Sequence, residues 1–283
     1  MVIKPTEEWT LAVLGRPEHP IPVPTRFGRV LVTGSAGSLG ALVEQYVSDK
    51  CEDLMSMDIA TDIAHGDVTN REMVQEAVQR FHPDVIFHLA GYKHAPAGEE
   101  DPYGAMVVNV EGTRNVIDAA EYVGAKVVVA STCKACDPET SYGASKLIAE
   151  RLALNAGQRV VRFYNVVETS GNVFEIWGAA PGDEPLQVTS CARRFLTAQE
   201  ALSLTLWAAE QESGRYIISD VRLRSMIDVA RSLYPDRVFE MTKPRRGDRM
   251  IEPEIAQCER IAALLDTWVA KVESPHDPVR RAA

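Results

Sequence analysis

A glycine turn set between a strand pattern and a helix pattern constrains this chain more than any other feature. Arg29-Val30-Leu31-Val32-Thr33 is a short β-branched run, and Gly34-Ser35-Ala36-Gly37-Ser38-Leu39-Gly40 follows it directly. Leu39, Leu42, Val43, Tyr46 and Val47 then recur at helical spacing. Such a turn lets backbone approach a pyrophosphate, with the amides of the helix N-terminus as donors. A plain tight turn can carry three glycines as well, and the strand–turn–helix context is what separates the two readings. Asp58 ends the next strand pattern, Asp53 to Asp58, about 20 residues beyond the glycines, where an acid bonds a ribose diol. No Arg or Lys follows it closely, which favours NAD over NADP.

Strand and helix patterns keep alternating. Residues 84–89 read as a strand after a helix near 70–80, and a helix over 103–123 leads into the apolar strand 125–130. The expected class is α/β, a Rossmann-type doubly wound parallel sheet with a smaller C-terminal substrate-binding lobe. Residues 1–27, rich in proline, read as an N-terminal arm or linker. Residues 28–162 read as the NAD-binding domain, and 163–283, less regular, mainly as the substrate lobe.

Charge and cysteine usage exclude several classes. The 283 residues carry 30 Lys+Arg against 40 Asp+Glu, a net charge of −10, which argues against nucleic acid or an anionic membrane as partner. The five cysteines are odd in number and irregularly spaced, unlike a secreted disulfide framework. No apolar stretch approaches the roughly 20 residues of a spanning helix. The expectation is a reduced cytoplasmic protein without membrane insertion. Cys133 and Cys136 form a CxxC, but it lacks two further ligands for a metal and does not open a helix as a redox pair would. No metal site is expected.

The chemistry concentrates in Ser131-Thr132-Cys133-Lys134-Ala135-Cys136-Asp137-Pro138-Glu139-Thr140-Ser141-Tyr142-Gly143-Ala144-Ser145-Lys146. This stretch leaves a buried strand at the carboxyl edge of the sheet, where ligands bind in this architecture. Tyr142 and Lys146, four apart at a helix start, share a face. A nearby ammonium and the cofactor's positive ring are expected to lower the phenol pKa and make Tyr142 a usable base. Gly66-Asp67-Val68 lies where such a chain contacts adenine, although a simple turn fits nearly as well. His88 reads as a packed core residue, and His94 as a neighbour of the pocket without a role.

Together these segments resemble the extended short-chain dehydrogenase/reductases, and more narrowly the UDP-N-acetylglucosamine 4,6-dehydratase (CapD-type polysaccharide biosynthesis) branch. The resemblance rests on VLVTGSAGSLG, VIFHLAGYKHAP, NVEGTRNVIDAA, STCKACDPETSYGASK, RFYNV, CARRFLTAQEA and KPRRGDRMIEPEI, and it spans residues 11–256. It implies a UDP-sugar substrate whose 4-hydroxyl proton passes to Tyr142 while hydride passes to NAD. Thr132 and Lys146 assist, and Lys134 removes the C5 proton. The resemblance assigns Gly34, Ser35, Gly37, Ser38, Leu39, Gly40, Asp58, Asp67, Val68, Leu89, Ala90, Gly91, Lys93 and Asn109 to the cofactor, beside Tyr142 and Lys146. Lys93, Thr132, Asn165, Arg194 and Arg245 fall to the substrate; for Lys93 and Arg194 a solvated loop charge is the alternative. Relatives pair through helices like those near 103–123 and 142–156, so a homodimer or larger homo-oligomer is implied.

Two departures bear on the reaction. The family has Asp immediately before the catalytic Lys, and this chain has Cys133. A thiol with a reference pKa of about 8.5 can donate a proton, but the adjacent Lys134 is expected to favour the thiolate. Elimination at C6 then lacks its acid, whereas chemistry at C4 keeps Tyr142. A UDP-sugar C4 epimerase is therefore the alternative, and a non-catalytic protein that holds NAD and a nucleotide-sugar is another. The crossover from Asp58 to Gly66 is also shorter than in relatives, which implies an abbreviated adenine pocket.

Overall fold

The computed structural model describes residues 6–60, 66–244, 247–252 and 269–272, the last by backbone alone. Helix α1 (Glu7–Leu14) is capped by Thr6, which accepts from Trp9 N, and ends at Gly15 with φ +65°. The chain then alternates β1 (Phe27–Thr33), α2 (Ser38–Val47), β2 (Cys51–Met57), α3 (Arg71–Phe81) and β3 (Val85–His88). Next come α4 (Ala95–Glu100), α5 (Pro102–Met106), a π-helical turn (Val107–Glu111) and α6 (Gly112–Val123). β4 (Lys126–Thr132), a single 3-10 turn (Cys133–Ala135), α7 (Ser141–Asn155) and β5 (Arg159–Phe163) complete the central run.

These strands, with β9 (Gly214–Ile218) and β12 (Val269–Val272), form one seven-stranded sheet in the order β12-β9-β5-β4-β3-β1-β2. Every pairing in it is parallel. The order reverses between β1 and β3, and an open parallel sheet binds its ligand in the crevice at such a reversal. The doubly wound sheet expected from the alternation is the one observed.

Alternation along each strand builds both faces. Val30, Val32, Phe87 and Val128 pack on one side with Val43 and Val47 of α2 and with Leu204 of α9 (Ala198–Ala208). Leu31, Ile86, Val127 and Val129 pack on the other with Val74 and Val78 of α3 and Val116 of α6. Successive strand side chains point to opposite faces, so a continuous apolar run is what a sheet covered on both sides requires.

A second assembly follows β5. It contains β6 (Asn165–Val166), α8 (Val173–Ala179), β7 (Leu186–Thr189), β8 (Ala192–Leu196), β10 (Leu223–Ser225), α10 (Met226–Leu233) and β11 (Phe239–Thr242). β10, β8 and β6 form one small sheet, and β11 pairs with β7. Its core of Phe174, Trp177, Leu186, Phe195 and Val229 also takes Val13 and Leu14 from α1.

The helix expected over 103–123 is not continuous. The π-turn at Val107–Glu111 interrupts it, inserting a residue into the helical repeat. Asn109 within this turn is fully buried.

Candidate active site

The glycine turn closes over the carboxyl end of β1. Gly34 has φ +74°, and a Cβ there would lie 2.5 Å from Ala90 N, so both conformation and space demand glycine. At Gly40 a Cβ would come within 2.1 Å of Gly34 O. Gly37 caps α2 without any side-chain bond, and Gly37, Ser38, Leu39 and Gly40 line a cleft of about 760 Å³. Asp58 lies at the lip, where its carboxylate accepts from Ala36 N at 2.9 Å and Ala60 N at 2.8 Å. Asp67, Val68, Leu89, Ala90, Gly91 and Lys93 line the same cleft. Ser35 is buried beneath the turn and Asn109 beneath Gly91, and neither lines the cleft. Asn109 instead accepts from Tyr92 N at 2.8 Å and donates to Ser145 Oγ at 3.0 Å. A Cβ on Gly91 would fall 2.7 Å from Lys146 Nζ, so that glycine makes room for the lysine.

His88 joins β3 to this floor by a hydrogen-bond chain of single polarity. Ala90 N donates to Thr33 Oγ1, whose oxygen lies 2.8 Å from His88 Nδ1. His88 Nε2 lies 3.0 Å from Thr113 Oγ1, which donates to Asn109 O. Because Thr113 spends its proton on that carbonyl, Nε2–H is the donor and Nδ1 accepts from Thr33. Burial holds this imidazole neutral, with its pKa pushed down to about 3.

The chemical end is built by β4 and α7. β4 delivers Thr132, the 3-10 turn places Lys134, and Thr140 caps α7 by accepting from Gly143 N at 3.0 Å. A Cβ at Gly143 would sit 2.3 Å from Lys134 O, so the helix starts hard against the turn. Thr132, Lys134, Tyr142 and Lys146 all line the cleft that holds the glycine turn. Lys146 Nζ donates to Ala130 O at 3.1 Å, and burial pushes its pKa down to about 8. In the protein alone, burial raises the Tyr142 pKa more than Lys134 and the Thr132 hydrogen bond lower it. The cation acting on the phenol in the protein alone is Lys134.

Cys133 departs from expectation. Its thiol is 1% exposed and packs in the core rather than lining the cleft. Burial and the Glu252 carboxylate push it up to about 11 against the pull of Lys134, so it is a thiol and not the thiolate expected from its neighbour. Cys133 is free, so the CxxC is not a joined pair.

The residues assigned to the substrate are dispersed. Lys93 Nζ donates to Ser170 Oγ at 3.3 Å on the cleft rim. Asn165 Oδ1 accepts from Lys134 Nζ at 3.3 Å. The Arg194 guanidinium donates to Val221 O and lies 5.9 Å over the Tyr164 ring, outside the cleft lining. Arg245 lies outside the described residues. Glu252 was not singled out in the sequence, yet its carboxylate, 3% exposed, accepts from Asn165 Nδ2 at 2.8 Å and from Arg194 N at 2.9 Å. Only its place in the segment KPRRGDRMIEPEI hinted at it. No group of residues able to hold a metal occurs among those described, nor any helix long and apolar enough to cross a membrane.

The profile of a polysaccharide biosynthesis protein family matches residues 48–264. The chain is 28% identical over 255 residues to a UDP-N-acetylglucosamine 4,6-dehydratase (inverting) of Campylobacter jejuni, covering 79% of this chain and 76% of that one. A UDP-glucose 4-epimerase of Thermotoga maritima, solved with UDP-glucose, matches with a TM-score of 0.72 and 19% identity over 79% of this chain and 88% of that one. An enzyme of Bordetella bronchiseptica in complex with NAD and UDP matches with a TM-score of 0.68 and 21% identity over 86% and 89% of the two chains. The two solved structures speak to the fold.

Proposed function

The chain belongs to the polysaccharide biosynthesis protein family, a branch of the extended short-chain dehydrogenase/reductases, and on that premise we propose that it is a UDP-N-acetylglucosamine 4,6-dehydratase. The observation that carries this reading is the meeting of Thr132, Lys134, Tyr142 and Lys146 in one cleft with the glycine turn and Asp58. A dehydratase needs a base for the C5 proton as well as one at C4, and Lys134 beside Tyr142 offers it.

The cleft fits a nicotinamide dinucleotide. A Cβ at Gly37 would meet only Gly34 O, at 3.1 Å, within 4 Å; the first amides of α2 carry no side-chain cap; and Asp58 offers a carboxylate to a ribose diol. That carboxylate favours NAD by repelling a 2′-phosphate. Bound there, the dinucleotide supplies the hydride acceptor for C4. Tyr142 Oη takes the proton of the 4-hydroxyl, held in line by Thr132. Lys134 stabilises the charge that Tyr142 develops, and Lys146, one turn along α7, assists from the cleft wall. A 4-ketone acidifies the C5 proton, and Lys134 Nζ on the cleft wall is placed to remove it once it has shed its own proton to solvent. The departing 6-hydroxyl takes up a proton and leaves as water; return of the C4-derived hydride to C6 and of a proton to C5 would then close the cycle, so that the net change is the loss of one water. Exposed Tyr103, Met106 and Ile148 on α5 and α7 support a homodimer through those helices.

One observation favours a second reading. C4 epimerisation requires no acid at C6, and the residue in the family's acid position, Cys133, does not line the cleft. Incubation with UDP-N-acetylglucosamine and NAD, followed by product mass and sugar NMR, separates the two. Loss of one water is the expected result, and unchanged mass with an altered C4 coupling supports the epimerase. Unchanged substrate from protein that binds NAD overturns both for this sugar.

A further inference from the structure

Position 133 carries no carboxylate, yet one stands beside Lys134 from a distant part of the chain. The segment before Glu252 is zipped onto β8: Ala192 pairs with Ile251, and Ala192 N donates to Met250 O at 2.8 Å. This brings the Glu252 carboxylate to 3.8 Å from Lys134 Nζ. Asn165 joins the two, donating from Nδ2 to both Glu252 oxygens at 2.8 Å and accepting from Lys134 Nζ at 3.3 Å. Arg193 Nε, 3.7 Å away, and Arg194 N complete the shell of the carboxylate. A buried carboxylate persists only when its oxygens are met by donors and positive charge. Here that requirement makes the Lys134 ammonium part of its shell.

We propose that Glu252 is the positioning residue of Lys134: through Asn165 and its own charge it fixes where Nζ sits in the cleft and holds it as an ammonium at rest. This rests on the reading that Lys134 handles a sugar proton, and it supplies from β8's neighbouring segment the carboxylate that residue 133 lacks. The groups facing Lys134 are Cys133 of its own turn, Tyr142 of α7, Arg193 of β8 and Glu252. Burial and Arg193 favour the neutral amine; Cys133 and Tyr142 where they ionise, and the Glu252 carboxylate throughout, outweigh them and leave Lys134 raised. Glu252 is the carboxylate among these groups.

The test is the pH dependence of Lys134 acylation by acetic anhydride, read peptide by peptide by mass spectrometry, which needs no turnover. In Glu252→Gln the midpoint for Lys134 is expected to fall by about one pH unit, as loss of a close opposite charge requires. Lys146, bonded to Ala130 O, keeps its midpoint, and Glu252→Asp stays closer to the unaltered protein than Gln does. An unmoved Lys134 midpoint in folded Glu252→Gln overturns the proposal. If that variant does not fold, the unaltered protein decides: a Lys134 midpoint below that of the exposed Lys126 overturns it equally. With UDP-N-acetylglucosamine, Glu252→Gln is expected to lower the limiting kcat reached above the Lys134 limb more than it changes KM, with that limb itself shifted to lower pH. The labelling result without turnover on any UDP-sugar would sink the dehydratase reading and leave the Glu252–Lys134 pair standing.

Discussion

The Asp58 carboxylate accepts the Ala36 backbone N–H at 2.9 Å, so the acid proposed to meet a ribose is also a strut of the glycine turn. Asp58→Ala therefore removes a diol partner and loosens the turn together. A hydrogen bond to a charged group contributes about 1.5–3 kcal/mol, and NAD affinity is expected to fall roughly 10- to 100-fold. Calorimetric titration with NAD and NADP checks this; NADP should lose less, and an equal loss would contradict the diol role.

Tyr142→Phe keeps the packing of a side chain that is 7% exposed and removes its proton-accepting oxygen. The expected result is a kcat lower by about 10² to 10⁴, the range of a positioned acid or base, with NAD affinity retained. Single-turnover measurements alongside a binding titration separate the two effects.

His88 makes stability fall in acid. Its pKa is about 3 in the folded protein against an ordinary 6.5, so the unfolded chain binds the extra proton between those values. Stability is lost as pH falls through that window. Urea unfolding of His88→Gln across it should show a flatter dependence, by up to about 1.4 kcal/mol per pH unit, whatever the absolute loss.

Lys146 costs stability in order to serve the site. Its pKa is about 8 when folded against an ordinary 10.5, so the folded chain binds fewer protons in between and stability rises with pH across that range. Below pH 8 the penalty is fully present, on the order of 3 kcal/mol. Lys146→Met is expected to raise Tm at pH 7 while abolishing turnover. Thermal melts should show the gain shrinking from pH 8 upward.

Arg16 and Glu200, 6% and 1% exposed, pair at 2.6 Å, and Glu200 also closes the capping box of α9 with Thr197. Arg16→Ala leaves a buried carboxylate short of a partner and should cost about 3–5 kcal/mol in urea unfolding. A loss under 1 kcal/mol would show that water or neighbouring donors take over.

Much of the fold was legible because it is written locally. Val30 to Thr33, the glycines and the helical period after them needed only their neighbours to be read as strand, turn and helix. Tyr142 and Lys146 are one helical turn apart, so their shared face followed from spacing. The π-turn at Val107–Glu111 was not legible, because nothing local separates it from a continuous helix. The state of Cys133 was misread for a related reason: adjacency to a lysine is visible in sequence, while burial depends on what packs from elsewhere.

The sequence by itself determined the class of sheet, the turn at its reversal and the residues that converge at its carboxyl edge, since each depends on periodicity or on separations of a few residues. Only the tertiary structure decided which charges meet there. Asn165 and Glu252 are 87 residues apart and are brought together by the Ala192–Ile251 bridge, which no local pattern encodes. Charge state follows from burial and from partners within a few ångströms. Such partners are set by the packing of the whole chain.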